Sequence, residues 1–594
     1  MRVVLLTALL FLMLSCTGEA RLQKDVQTYL DTYTHQYQKL YTVSSEAEWK
    51  ANTHIVDGDS ATEKATRNAN EALARFTGSK ENIDRARAYL KKSAGLRPIQ
   101  VKQLQIILYM AANNPQSVPE LVKNRIKAET VQNKNLFDFD FKIDGKAVTT
   151  NQIDDILKKS NNLKRRRAAW SASKEVGKNL KTGLEKLQLL RNKTVQALGF
   201  PDYFSYQVSE YGMTTAEMMQ MNQRFIKEIW PLYRELHTYA RYALAKKYHV
   251  KDVPDYLPAD WLPNRWGQDW GPMVTVKGID LDGVLAHKKA AWLVEQAERF
   301  YISLGFEKLP QSFWDRSSLY PAPQNAGYKK NNHASAWHMD LDHDVRSLMS
   351  VEPNAEWYET AHHELGHIYY YLSYSRPQVP LLLRSGANRA FHEAIGSMMG
   401  LAAMQKPFLQ NLNLIPQNVK TDKMQKLLKE ALNYIVFIPW AAGVMTEFEH
   451  DLYSENLAHD QYNVRWWALK KKYQGIVPPS ARGEEYCDAA SKTHINNDAA
   501  QYYDYSLSYV LLFQIHDHIA KKILKEDPRS TNYYGNKAVG EFLKGLLEPG
   551  ATVDWRQLMK EKLGEEISAK AMLDYFQPLL EYLKKVNAGR KYTI

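Results

Sequence analysis

His362-His363-Glu364-Leu365-Gly366-His367 is the stretch on which the reading of this chain turns. On a helix, His363 and His367 lie one turn apart and point the same way. Two imidazoles on one face can grip a single zinc ion. Glu364, about 100° round the helix, can touch a water on that metal without ligating it. A second cluster follows at Phe391-His-Glu-Ala-Ile-Gly396, and Glu393 is the obvious third ligand. The two clusters together predict a zinc hydrolase.

The flanking residues place the first cluster mid-helix. Pro353-Asn354 makes a helix start, with Asn354 as N-cap and Glu356 in the first turn, and Pro377 closes the run. The second segment, from Asn388, sets Glu393, Gly396, Ser397 and Gly400 along one side. A face of small residues lets one helix come close to another, which a short carboxylate needs to meet a metal held by its neighbour. The bland alternative is a pair of ordinary, partly buried histidines. Caps, spacing and the small-residue face together favour the metal.

Composition bounds the class. The chain has 594 residues, 44% hydrophobic and 24% charged, ordinary for a globular protein with a large core. A net charge of +12 suggests an acidic partner. Yet the densest basic stretch, Lys158-Lys159 with Lys164 to Arg167, runs straight into a helix carrying Trp170. A solvated helix face is the better reading, and no nucleic-acid partner is expected. At the start, Val3 to Leu14 is apolar but too short to span a bilayer, as in a secretory signal. Two processing routes are open. Met13-Leu-Ser-Cys16 resembles a bacterial lipobox with Cys16 lipidated, and Gly18-Glu-Ala20 offers a cleavage site. The scarcity of cysteine (only Cys16 and Cys487) favours the lipobox and leaves no internal disulfide. Residues 1–20 thus read as a signal segment of an exported, bacterial periplasmic or membrane-anchored protein, alternatively a secreted one. The only membrane contact expected is an anchor at Cys16, because no later segment looks apolar enough to span.

From Leu22 onward the pattern is overwhelmingly helical. Apolar residues recur at 3–4 spacing over 82–93, 117–128, 182–198, 215–248, 282–304, 423–437 and 506–524. Phe137 to Ile143 alternates with period two into Asp144-Gly145, predicting a small β-ribbon. No linker marks off a module, so residues 21–594 read as one mostly α body. Other constellations fall away. Asp340-Leu-Asp-His-Asp344 lacks the glycine and glutamate of a calcium loop and reads as a polar loop feeding the metal helix. Cys487 has no feature of a nucleophile, and His516 and His518 on an apolar helix read as structural.

The chain resembles the angiotensin-converting-enzyme family of zinc peptidyl-dipeptidases over nearly its whole length. The likeness rests on Trp49 to Ile55, Leu236 to Arg241, Trp266-Gly-Gln-Asp-Trp270, His333-Ala-Ser-Ala-Trp337, His362 to His367, Gly386-Ala-Asn388 and Phe391 to Gly396. It continues through Tyr473-Gln-Gly-Ile476, Lys492-Thr-His494, Tyr502 to His516 and Ala571 to Leu580. The resemblance implies one zinc per chain on His363, His367 and Glu393, with Glu364 as general base. It implies His494 and Tyr505 as stabilisers of the oxyanion, and Gln268, Lys492 and Tyr502 as the anchor for a substrate's C-terminal carboxylate. His333 and Ala334 match the strand edge that pairs with the peptide. The implied fold is a large helical ellipsoid with a deep internal groove, and the implied activity is release of dipeptides from peptide C-termini by attack of zinc-bound water.

Four departures stand out. The segment between His367 and Glu393 is two residues longer than in animal members, and that from His494 to Tyr502 one longer. Ser397 stands where the family has an aspartate supporting a ligating histidine, which weakens its orientation. Asp504 replaces the chloride-contacting arginine before the catalytic tyrosine, so chloride is not expected there. Two other functions stay open: a same-fold zinc peptidase that trims single residues or cuts internally, and a non-catalytic peptide-binding surface protein. The second predicts loss of ligands, whereas all four metal-site residues are present.

Overall fold

The computed structural model describes residues 2–56, 58–278, 281–323, 325–331 and 333–594, with side chains of the first helix described from Gly18 on. The predicted lipobox, Cys16 included, therefore lies outside the described side chains. Helices dominate, as the periodicity predicts. Those that build the centre are α1 (Arg2–Thr53), α2 (Thr215–Lys247), α3 (Ala290–Leu304), α4 (Ala355–Tyr374), α5 (Arg389–Ala403), α6 (Lys423–Ile438), α7 (Tyr503–His518) and α8 (Lys570–Val586). Helix α5 packs between α4 and α7; α3 backs α4, and α2, α6 and α8 close the far side. One extended core of buried apolar residues joins α2 to α8, running from Ala112 to Leu583. Helix α1 packs through a separate small cluster, Val26, Tyr29, Leu30 and Tyr33 against Leu104, Ile107 and Leu382.

Capping fixes where the two central helices begin. Asn354 accepts from the Trp357 N–H at 2.9 Å and Asn388 from the Phe391 N–H at 3.1 Å, so both asparagines satisfy an orphan donor of the first turn. Where α4 crosses α5, Gly366 meets Gly396. A Cβ at Gly366 would sit 2.9 Å from the Gly396 Cα, and one at Gly396 would sit 3.0 Å from the His363 ring. Only hydrogen fits at either place.

Several sequence expectations need correction. The ribbon exists, with β1 (Lys142–Ile143) antiparallel to β2 (Lys146–Ala147) around Asp144-Gly145, both at positive φ as a tight hairpin requires. It is shorter than the alternation implied, because Phe137 closes a helix from Pro119 and Phe139 and Phe141 pack on the core instead. Two further strand pairs went unread: β3 (Leu257–Pro258) with β6 (Ile476–Val477), and β4 (Ser335–His338) antiparallel to β5 (Val345–Leu348). The expected helix over 282–304 breaks into Asp282–Leu285 and α3. The basic stretch is not simply a solvated face. Arg166 is buried and donates to the carbonyls of Leu157, Ser160, Asp260, Trp261 and Leu262, tying its helix to the 260–262 loop.

One run is, against expectation, long and apolar enough to cross a membrane: Lys423–Tyr453, 31 residues that contain an 18-residue window of mean hydropathy 1.2. Its apolar window is 89% buried inside the fold, so it serves as a core helix, continuing α6 through a π-helical turn at Pro439–Met445. His516 is structural as expected, held by the Tyr533 hydroxyl and the Pro528 carbonyl. The acidic loop at 340–344 turns β4 into β5, with Asp340 capping the N–H groups of Asp342 and Asp344.

Gly366→Ala would drive a methyl into backbone that cannot step aside, and overpacking of this kind costs ~1–3 kcal/mol. A fall of several degrees in the thermal midpoint is expected, against little change for Gly283→Ala, whose methyl meets nothing within 4 Å. Equal midpoints for both variants would contradict the close crossing.

Candidate metal centre and groove

The crossing of α4 and α5 puts three ligand-type atoms together. His363 Nε2 and His367 Nε2 are 3.1 Å apart, and Glu393 Oε2 is 3.8 Å from His363 Nε2. All three lie within 4.8 Å of one another. Ligands about 2.0–2.1 Å from a tetrahedral zinc stand roughly 3.3 Å apart, so this set fits that ion. Burial lowers the pKa of both histidines to about 4, which keeps the imidazoles neutral, as metal binding requires. Glu364 lies beside the cluster with Oε2 buried and without a hydrogen-bond partner among the described residues. Burial, and then the Glu393 carboxylate, push it up to about 8. A dication held by the three ligands would oppose that rise. The residues present fit zinc with an acid–base carboxylate at its side.

What orients the ligands was only partly legible. Ser397 is half-buried and makes no side-chain hydrogen bond among the described residues. The His363 ring instead lies close against Gly396, where an added Cβ would come within 3.0 Å of its Cε1 and Nε2. His367 Nδ1 is 3.3 Å from Nδ1 of His392, whose ring stacks on Tyr370 at 4.2 Å and whose Nε2 lies 3.4 Å from the Tyr374 hydroxyl. His392 escaped the sequence reading. Its signal was its place immediately before Glu393, one step round the same helix.

The remaining expected residues line the same groove, about 970 Å³ in volume. His494, on a short helix at Thr493–Asn497, has Nε2 3.3 Å from the Tyr505 hydroxyl, which projects from α7. Burial, aided by Lys492, Arg389 and His333, drives His494 down to about 2, so its ring is neutral. Lys492 Nζ donates to Gln268 Oε1 at 3.0 Å and lies 4.4 Å above the Trp266 ring and 5.4 Å from that of Tyr502. It has no carboxylate partner among the described residues. Burial and Arg265 pull its pKa down to about 7. The Tyr502 hydroxyl accepts from Trp440 Nε1 at 3.1 Å, which leaves its own proton to donate. The longer spacing between His494 and Tyr502 therefore does not separate these groups. His333 and Ala334 also line the groove, but just ahead of β4, which begins at Ser335. Asp504 is not among the residues that line the groove; its carboxyl meets Tyr211 and Arg389.

Comparison with known proteins accords with this geometry. The peptidase family model described as angiotensin-converting enzyme matches residues 20–594. An angiotensin-converting enzyme of Theromyzon tessulatum is 28% identical over 97% of this chain and 94% of its own length. The Bos taurus angiotensin-converting enzyme is 32% identical over 70% of this chain, which spans only 33% of that protein. A Drosophila melanogaster angiotensin-converting enzyme-related protein is 32% identical over 67% of this chain and 65% of its own length. A match over nearly the whole chain, and a groove that gathers the residues expected of a metallopeptidase, lead to one conclusion: the chain belongs to the angiotensin-converting enzyme family of peptidases.

Proposed function

We propose that this chain is a zinc-dependent peptidyl-dipeptidase that releases dipeptides from the C-termini of peptides. The observation that carries the reading is a single groove holding both the His363, His367 and Glu393 cluster and a buried lysine, Lys492, that lacks an anionic partner among the described residues. When bound by those three ligands, zinc supplies Lewis acidity, polarising a carbonyl and lowering the pKa of water to about 7.

The chain's own residues do the rest. Glu364 takes the proton of the attacking water and returns it to the departing amine. The hydroxyl of Tyr505 and Nε2 of His494, 3.3 Å apart, are placed to donate to the oxygen that gains charge. Lys492, Gln268 and Tyr502 bind the substrate's terminal carboxylate, which restores to Lys492 the stabilisation that burial removes. The edge of β4 not paired to β5, with His333 and Ala334 ahead of it, supports an extended peptide backbone. Export guided by the apolar run at 3–14 belongs to the same proposal and rests on sequence alone.

Glu364→Gln keeps the shape and the ligands but removes the proton acceptor. Bound zinc should stay near one per chain while turnover drops ~10²–10⁴-fold. Activity near normal in that variant would overturn the role of Glu364.

Blocking a peptide's C-terminus as the amide should sharply reduce cleavage, and mass spectrometry of a free decapeptide should show products shortening two residues at a time. Single-residue ladders, or equal rates on amide and acid, would favour the trimming or internal-cleavage alternative.

Asp504 sits buried one residue before Tyr505 and against Arg389 at 3.4 Å, so the cation an added anion would need there already has its acid partners. Cleavage rates in sodium chloride and sodium gluconate at matched ionic strength should therefore agree. A several-fold rise specific to chloride would mean that an anion site survives there.

A further inference from the structure

Arg389 opens α5, one turn ahead of Glu393, and its guanidinium reaches two other segments. Nη1 and Nη2 donate to Oδ1 and Oδ2 of Asp498 at 2.8 and 2.7 Å, and Nη1 also donates to Gln501 Oε1 at 2.9 Å. Both partners lie in the loop between His494 and Tyr502, and Asp498 itself donates its backbone N–H to the His494 carbonyl. Nε of Arg389 is 3.4 Å from Oδ2 of Asp504, in the first turn of α7 immediately before Tyr505.

The other oxygen of Asp504 accepts from the Tyr211 hydroxyl at 2.5 Å. That hydroxyl in turn accepts from the Ala390 N–H at 3.1 Å, one of the donors that the first turn of α5 leaves without a helical partner. A cation at a helix N-terminus opposes the helix dipole, and a carboxylate there agrees with it. Asp504 sits at the start of its own helix and is linked through Tyr211 to the start of another. It is 1% exposed, so water contributes little to stabilising its charge. Burial pushes its carboxyl up to about 8, and Arg389 and the Tyr211 hydroxyl oppose that rise. Arg389 lines the groove, yet its Nη donors are directed to Asp498 and Gln501, and its Nε approaches Asp504 Oδ2, which accepts no hydrogen bond among the described residues.

We propose that Arg389 and Asp504 form a positioning clamp that holds the helix bearing Glu393, the loop after His494 and the helix bearing Tyr505 in one register, and so fixes the Tyr505 hydroxyl for the reaction. The clamp rests on the role of Tyr505 stated above. Neither residue touches substrate; both act through Tyr505. The buried acid beside Tyr505 is directed at the Arg389 guanidinium and the Tyr211 hydroxyl.

A double-mutant cycle with chemical rescue tests this. Steady-state kinetics are measured for Asp504→Ala, Tyr505→Phe and the double variant, with zinc content and thermal midpoint recorded for each. Loss of positioning at about 1 Å costs up to ~10²-fold, so Asp504→Ala should lower kcat ~10–100-fold with KM changed less than about threefold and zinc retained. In the Tyr505→Phe background the same substitution should cost almost nothing, because the group it positions is already gone. Sodium formate, which replaces the deleted carboxylate between Arg389 and Tyr211, should restore part of the activity of Asp504→Ala with saturation and leave the double variant unmoved. Where Asp504→Ala does not fold, Asp504→Asn carries the cycle, since its amide oxygen still accepts from Tyr211 while the charge is lost. Equal losses in both backgrounds, or a loss that follows zinc content and ignores formate, would overturn the clamp while a slow Tyr505→Phe keeps the peptidase reading intact. A fully active Tyr505→Phe would overturn both.

Discussion

Everything at this site depends on the distance between two backbones. Glutamate has a short reach, and a metal held by two histidines on one helix can be met by a carboxylate from the next only if the helices nearly touch. Gly366 and Gly396 provide that approach, with room at the crossing for hydrogen alone. The contact does two things at once. It sets the gap between His363, His367 and Glu393, and it brings the Gly396 backbone close against the His363 ring. With the residue at 397 a serine that makes no side-chain hydrogen bond among the described residues, packing takes over part of what a hydrogen-bonding carboxylate would otherwise do. The His392 ring, wedged among Tyr370, Tyr371 and Tyr374, does the corresponding work for His367.

The groove around this crossing is electrostatically unfinished. Lys492 is buried against aromatic faces with a glutamine as its hydrogen-bond acceptor, and Glu364 keeps a buried oxygen unbonded among the described residues. Desolvation pushes the ammonium down to about 7 and the carboxyl up to about 8, each towards its neutral form. A peptide carboxylate beside the first and a dication beside the second would reverse both shifts. Binding energy is thus held in reserve for ligands of the right charge, and the low-dielectric walls make that discrimination steep.

The zinc signature and its helix were legible because local rules govern them: spacing of one turn, an asparagine cap, a proline stop. The glycine face of α5 was legible for the same reason. The short strands were not. β4 and β5 have four residues each and pair across a loop of polar residues, so no run is long enough for alternation to register. Arg166 misled because a buried guanidinium and a solvated one look alike in a basic run; only the carbonyls of the 260–262 loop, distant in sequence, reveal which it is. Gln268, Lys492, Tyr502 and Tyr505 come from segments more than 200 residues apart in the extreme case, and only family likeness could gather them in advance. Asp504 was seen to be unusual. Its partner Arg389 was not, since nothing local connects the two.

That pairing constrains how such a chain can change. Removing one partner of such a pair leaves the other without compensation, and the loss falls more on Asp504, 1% exposed, than on Arg389, which keeps Asp498. Asp504 without Arg389 would be held more firmly in its neutral form, shut away from water beside the phenol of Tyr211, and Arg389 without the acids would set a bare cation against the start of α5. Neither position can drift alone to the opposite charge. Passage between this arrangement and one with the cation on α7 requires two substitutions close together in time, or a neutral stage at one of them. The pair is an epistatic lock, and it marks this chain as one side of a divide that single substitutions do not readily cross.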